Sequence, residues 1–455
     1  MTGGPIRSTD AAEDFPGDTI MAELNETHDA ARRSWVASAN DGETDFPIQN
    51  LPFGIFRGRD GEPQGGAAIG DQIFDLAAGV RRGLFDGDTD IAARAAAGSR
   101  LNELMGLEPG MVSALRRRLS DLLRAGGPDE ASARSGADQI LVPMAEAAMQ
   151  MPAAVGDYTD FSCSTHHMMR MGGGVVRPVF LHLPVGYHGR ASSLRVSGAE
   201  VRRPFGQFAG SKGEVVYGPE PQLDFELEFA AFVGRGNALG QPIPVAEAED
   251  HIFGYCLLND WSARAIQFYE TALGPFLGKS FLTTLSPWVV THEAMAPFRT
   301  EAFAHPAENP PIPAHLLDAA DQKDGGLDLR LEARLTTTAS RRRGEAPQRI
   351  VATNFRYIYW TLAQMLAHHA SNGCDLRPGD LFASGTVSGP EDEAKACLME
   401  ANERGQRTLS FPNGETRMWL EDGDEIQLRG RAVREGFVPI GFGPCDGRVG
   451  AAGAA

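Results

Sequence analysis

The chain has 455 residues, 42% of them hydrophobic, and a formal net charge of −18. That length supports a sizeable core and two or three domains. The acidity excludes the basic stripe that nucleic-acid binding needs, and no segment has the roughly 18 apolar residues needed to span a bilayer.

Residues 1–30 are polar and acidic without a signal-peptide apolar core, so they read as a disordered leader, with Met21 an alternative start. The runs 46–57 and 66–75 predict short strands joined by Gly/Pro turns. From Ile91 to Arg124 the chain is rich in Ala, Leu, Met and Arg and predicts helices, which Gly126-Gly127-Pro128 stops. A small α+β domain therefore spans 31–152. Residues 153–450 are strand-dominated and predict a mainly β, largely antiparallel domain. Within it a helix is expected from Arg356 to Ala370, and Ala304 to Gly325 reads as a surface excursion. Five cysteines without a CxxC pair fit a reducing, cytoplasmic setting and argue against a disulfide framework or a zinc site.

The segment Gln222-Leu-Asp-Phe-Glu-Leu-Glu-Phe229 alternates strictly. As one strand it places Asp224, Glu226 and Glu228 on a single face, opposite Phe225, Leu227 and Phe229. Because the run continues into Ala230-Ala-Phe-Val233, the strand is expected to be buried. Clustered buried carboxylates repel one another unless a cation or protons relieve them. Asp160 and Asp260 extend this to an oxygen-rich set of the kind Mg2+ or Ca2+ prefers, with no thiolate or imidazole. His167 lies seven residues after Asp160 and is a general-base candidate, whereas His368-His369 reads as structural. Arg264, Gln267 and Lys279 follow Asp260 and are candidate donors to a developing oxyanion. Other patterns fail. Gly274-Pro-Phe-Leu-Gly-Lys-Ser280 is one residue short of a phosphate-binding loop, and Asp422-Gly-Asp-Glu425 is a hairpin turn.

Several blocks taken together resemble the fumarylacetoacetase family. They are Asp157-Tyr-Thr-Asp-Phe161, Leu183-Pro-Val-Gly-Tyr-His-Gly-Arg-Ala-Ser-Ser193, Glu226-Leu-Glu228, Asn259-Asp-Trp-Ser-Ala-Arg264, Leu273-Gly-Pro-Phe-Leu-Gly-Lys-Ser280, Arg377-Pro-Gly-Asp-Leu381 and Ser384-Gly-Thr-Val-Ser-Gly-Pro390. The resemblance runs from about Ser34 to Gly450. It implies a small SH3-like N-terminal domain, a C-terminal mixed β-sandwich roll and a homodimer. It also implies hydrolysis of the carbon–carbon bond of a small diketo acid, 4-fumarylacetoacetate, with a divalent cation (Mg2+, Ca2+ or both) as cofactor. By the same resemblance Asp160, Glu226, Glu228 and Asp260 are metal ligands, and Lys279 and Thr283 border a second cation position. His167 matches the catalytic base and Glu400 the carboxylate that orients it, with Arg264, Gln267 and Lys279 around the oxyanion. Ser162, Arg177, Tyr187, Gln267, Thr271 and Thr386 match substrate-binding positions. The chain departs from the family at Ser162 and Thr271, where tyrosines are expected, and reaches Arg177 only with a one-residue shift. Those departures fall at the substrate mouth, so a related superfamily enzyme acting on another 1,3-diketo acid is the alternative.

Overall fold

The computed structural model describes residues 24–58 and 61–453. A five-stranded sheet opens the chain, in the order Leu141–Pro143, Gln72–Asp75, Pro63–Ile69, Phe53–Arg57 and Ala148–Gln150, every pairing antiparallel. The single strand expected over 66–75 is therefore two. The chain reverses at Gly70, where φ is +58° and a Cβ would stand 2.3 Å from Ser38 Oγ, so only glycine fits. Helices Gly87–Ala96 and Pro109–Leu123 follow, the second burying Leu115, Leu119, Leu122 and Leu123 at helical spacing in the core it shares with this sheet.

Residues 25–28, expected within the leader, are structured. Residues 1–23 lie outside the described residues, but Asn25 caps a turn over Glu26–His28, and Thr27 and His28 are buried. Buried Arg116 donates to Thr27 Oγ1 and to the Gln49 carbonyl. Polar composition reads as solvent-loving, yet these residues found partners inside.

The larger part is built on a mixed eight-stranded sheet. Seven strands run in the order Gly186–Gly189, Tyr158–Phe161, Leu381–Ala383, Leu227–Val233, Ile252–Asp260, Thr283–Leu285 and Leu194–Val196, and Val290–Thr291 pairs with Ile252–Asp260. A six-stranded sheet, centred on Leu329–Thr336 and Glu425–Ala432, packs against it. Every residue of Leu227–Val233 and Ile252–Asp260 is buried, and the alternation shows why. Phe229, Ala231, Tyr255 and Leu257 face the core shared with the six-stranded sheet. Ala230, Phe232, Cys256 and Leu258 face the core shared with the N-terminal helices. The central sheet is thus covered on both sides, and polar groups at its strand ends have little access to water.

Two further expectations change. The helix predicted from Arg356 starts at Leu362, after a turn over Phe355–Tyr357. Thr361 Oγ1 accepts from Gln364 N at 3.1 Å and Gln364 Oε1 accepts from Thr361 N at 2.9 Å, a reciprocal cap that sets the boundary. The excursion over 304–325 is anchored: Leu316 is buried, and Thr361 Oγ1 donates to buried Asp321 at 2.7 Å.

Candidate active site

Three strands of the large sheet deliver the acidic cluster. Asp160 sits on Tyr158–Phe161, Glu228 on Leu227–Val233 and Asp260 at the end of Ile252–Asp260. Each offers an oxygen within 4.8 Å of the others, and the three residues are at most 2% exposed. Asp260 is held by Thr283 Oγ1 at 3.0 Å, Tyr187 OH at 2.9 Å and Lys279 Nζ at 2.6 Å. Asp160 Oδ1 and both oxygens of Glu228 are buried without a hydrogen-bond partner. Burial, reinforced by the Asp260 charge, pushes Asp160 well above the usual carboxylate range. Burial and the Asp160 charge do the same to Glu228. Orphaned, mutually repelling buried oxygens mark a position that fits a cation. The donors are all oxygen, which suits Mg2+ or Ca2+.

The strand carrying two of the expected ligands is not continuous. It breaks between Leu223–Asp224 and Leu227–Val233, so the predicted common face for Asp224, Glu226 and Glu228 does not form. Asp224 turns away: Oδ1 accepts from Leu398 N at 2.8 Å, and Oδ2 accepts from Met399 N at 3.0 Å and Arg264 Nε at 3.0 Å. It thereby caps the turn Leu398–Ala401, which carries Glu400. Glu226 lies at the break with both oxygens engaged, Oε1 at 2.6 Å from Arg264 Nη1 and Oε2 at 2.5 Å from Lys279 Nζ. Burial opposes its charge, but Lys279, Arg264 and then His167 hold it well below its ordinary value. Glu226 therefore links the acidic cluster electrostatically to the histidine. The Lys279 amine is opposed by burial and held protonated by Asp260 and Glu226. An ammonium has no lone pair to offer a cation, and the Lys279 side chain is the ion-pair partner of Glu226 and Asp260.

His167 is on the helix Thr165–Met171, whose cap Ser164 accepts from His167 N at 3.2 Å. Its Nδ1 lies 2.7 Å from Glu400 Oε1. Ser388 Oγ donates to the same oxygen at 2.6 Å, and Arg170 Nη1 donates to Oε2 at 2.9 Å. Burial alone would raise Glu400, but the His167 charge and the bonds from His167, Ser388 and Arg170 hold it down at about 2. A permanently ionised carboxylate on Nδ1 fixes the imidazole and leaves Nε2 as the proton acceptor. The cap made by Asp224 and the bonds of Ser388 and Arg170 to Glu400 escaped sequence reasoning. Arg170, one helical turn after His167, had a legible signal in its i, i+3 spacing.

The mouth is less complete. Thr386 is buried with an unpartnered Oγ1, on the loop that also carries Ser388. Gly385 has φ +77° and a Cβ there would stand 2.2 Å from the Phe161 carbonyl, so glycine lets this loop close on Ser162. Ser162 is half-buried and its N–H donates to Val185 O at 2.7 Å. Arg264 Nη1 donates to Gln267 Oε1 at 3.2 Å. Thr271 and Arg177 are exposed, and among the described residues neither side chain hydrogen-bonds to the carboxylates or to His167. His166 packs edge-on against Phe303 and Tyr357, and His369 Nε2 lies 2.7 Å from Thr159 Oγ1, so both are structural.

The chain is similar to known proteins over most of its length. Residues 49–152 match the family model "Fumarylacetoacetase N-terminal" and residues 157–450 match "Fumarylacetoacetate (FAA) hydrolase C-terminal". The fumarylacetoacetase of Oryza sativa subsp. japonica is 45% identical over 417 residues, covering 89% of this chain and 94% of that one. That of Bos taurus is 44% identical over 434 residues, covering 91% and 98%. That of Caenorhabditis elegans is 46% identical over 426 residues, covering 89% and 96%. By the matched models and the near full-length identity, the chain belongs to the fumarylacetoacetase family.

Proposed function

We infer that this chain hydrolyses the carbon–carbon bond of 4-fumarylacetoacetate, releasing fumarate and acetoacetate in tyrosine and phenylalanine catabolism. The observation that carries this reading is the buried His167–Glu400 pair at 2.7 Å, joined through Glu226 to a carboxylate trio with orphaned oxygens. Asp160, Glu228 and Asp260 would hold a divalent cation, Mg2+ or Ca2+, with Glu226 as a fourth carboxylate tethered by Lys279 and Arg264. Such an ion, when bound, supplies Lewis-acid charge to a 1,3-dicarbonyl.

His167 Nε2 takes a proton from water while Glu400 stabilises the imidazolium. The hydroxide adds to the carbonyl beside the scissile bond. Arg264, Gln267 and Lys279 donate towards the oxygen that becomes negative, in a site where burial strengthens each such bond. The bond then breaks towards the acetoacetate carbon, which takes back the proton. Tyr187 and Thr386 border the substrate, and two copies of the chain assemble as a homodimer in the cytoplasm.

Replacing His167 with Ala is expected to abolish loss of the diketone absorbance while leaving bound-metal content unchanged; a fully active variant would refute the assignment. A second reading is favoured by Ser162 and the outward-facing Thr271, which leave the mouth without two tyrosines. It makes the substrate a different 1,3-diketo acid. Turnover of shorter acylpyruvates faster than fumarylacetoacetate would select it.

A further inference from the structure

Beside the proposed base lies a thiol that the mechanism does not use. Cys397 precedes the turn Leu398–Ala401, and its Sγ is 3.5 Å from Glu400 Oε1. His167, Cys397 and Glu400 each present a donor atom within 4.8 Å of the others. We propose that these three side chains form a second cation site, for a thiophilic divalent ion such as Zn2+ or Cd2+, separate from the carboxylate cluster and inhibitory when filled.

Tetrahedral zinc, at about 2.0–2.3 Å from N, O and S ligands, sets neighbouring donors roughly 3.3–3.8 Å apart. The observed separations, 2.7 Å for Nδ1–Oε1, 3.5 Å for Sγ–Oε1 and at most 4.8 Å between a His167 ring nitrogen and Sγ, bracket that range, so small side-chain rotations suffice. The donor set also sorts the ions. The oxygen-only trio suits Mg2+ or Ca2+, whereas one nitrogen, one sulfur and one oxygen suit a softer ion. Arg170 stays on Glu400 Oε2 at 2.9 Å and leaves Oε1 to the ion, while Ser388 Oγ turns aside. The His167 side chain, 10% exposed, gives the route in. Asp224 pins the cysteine by capping the turn that follows it.

On binding, bonds form from the ion to His167 Nδ1, Cys397 Sγ and Glu400 Oε1. The S–H proton leaves to solvent and the imidazole proton moves from Nδ1 to Nε2. A protonated Nε2 accepts no proton from water, so filling this site blocks the base. Ion binding rests on the geometry alone, whereas inhibition rests on the proposed role of His167.

The test uses the full chain saturated with Mg2+ and titrated with Cd2+, following the ultraviolet thiolate-to-metal band and diketone turnover together. One band per chain is expected, growing as activity falls. C397S should remove the band and raise the half-inhibiting Cd2+ concentration at least about tenfold, the lower end of what partners of a metal ligand are worth. C374S, which removes the one cysteine that is not buried, should keep both. A wild type inhibited without a band, a band surviving in C397S, or equal inhibition of C397S and wild type would each overturn the proposal. Should C397S not fold, C397A replaces it, and a 113Cd resonance of the wild type in the all-oxygen range overturns the site while one in the thiolate range supports it. The band needs no turnover, so failure of the hydrolase reading would not be mistaken for failure of this one.

Discussion

Glu400→Gln isolates the charge on the dyad. Glutamine keeps the shape, but with its oxygen accepting from Arg170 it turns an amide N–H donor towards His167 Nδ1, which is 2.7 Å from the carboxylate. Facing an amide N–H, Nδ1 becomes the acceptor and Nε2 the carrier of the proton, so the base is in the wrong tautomer. Losing general-base catalysis costs about 10²–10⁴-fold in kcat, with KM little altered. The same carboxylate carries a stability term. Its neighbours bring it from an ordinary 4.5 to about 2, which at about 1.36 kcal/mol per pH unit is about 3 kcal/mol. Because the folded value is depressed, this stability is present above pH 4.5 and fades as pH falls towards 2. The glutamine variant should therefore unfold at lower urea than wild type at pH 7, with the gap narrowing at pH 4 and below. Turnover within tenfold of wild type, or a urea gap independent of pH, would refute the reasoning.

Asp321 shows the opposite sign. Burial raises it from 3.8 to about 6, so the unfolded chain ionises first and stability declines as pH rises between those values. Asp321→Asn keeps an acceptor for Thr361 and should recover about 2–3 kcal/mol at pH 7, read as a higher thermal midpoint there and little change at pH 4. Glu228→Gln removes one member of the crowded trio. The chelated protein should melt higher than chelated wild type, and the upward shift on adding Mg2+ or Ca2+ should disappear. Gly385→Ala places a methyl 2.2 Å from the Phe161 carbonyl at φ +77°, so a loss of about 2 kcal/mol or more and a fall in activity are expected, measured by urea midpoint and diketone turnover.

Much of this protein is legible locally. The helix Pro109–Leu123 is written in its apolar spacing, and the double burial of the central strands in the unbroken run Phe229-Ala-Ala-Phe-Val233. His167 and the acidic residues are identifiable because buried charge and a neutral-pH base are chemically conspicuous residue types. Other features depend on contacts between segments far apart in the chain. The break after Asp224, which separates it from Glu226 and Glu228, follows from hydrogen bonds to Leu398 and Met399, 174 and 175 residues away. The ionised state of Glu400 depends on Arg170 and Ser388, and the burial of Thr27 depends on Arg116. Residue chemistry and periodicity are properties of a segment and can be read along it. Whether a carboxylate is a ligand, a cap or an ion-pair partner depends on which donors the fold brings within 3 Å, and only the tertiary structure decided that.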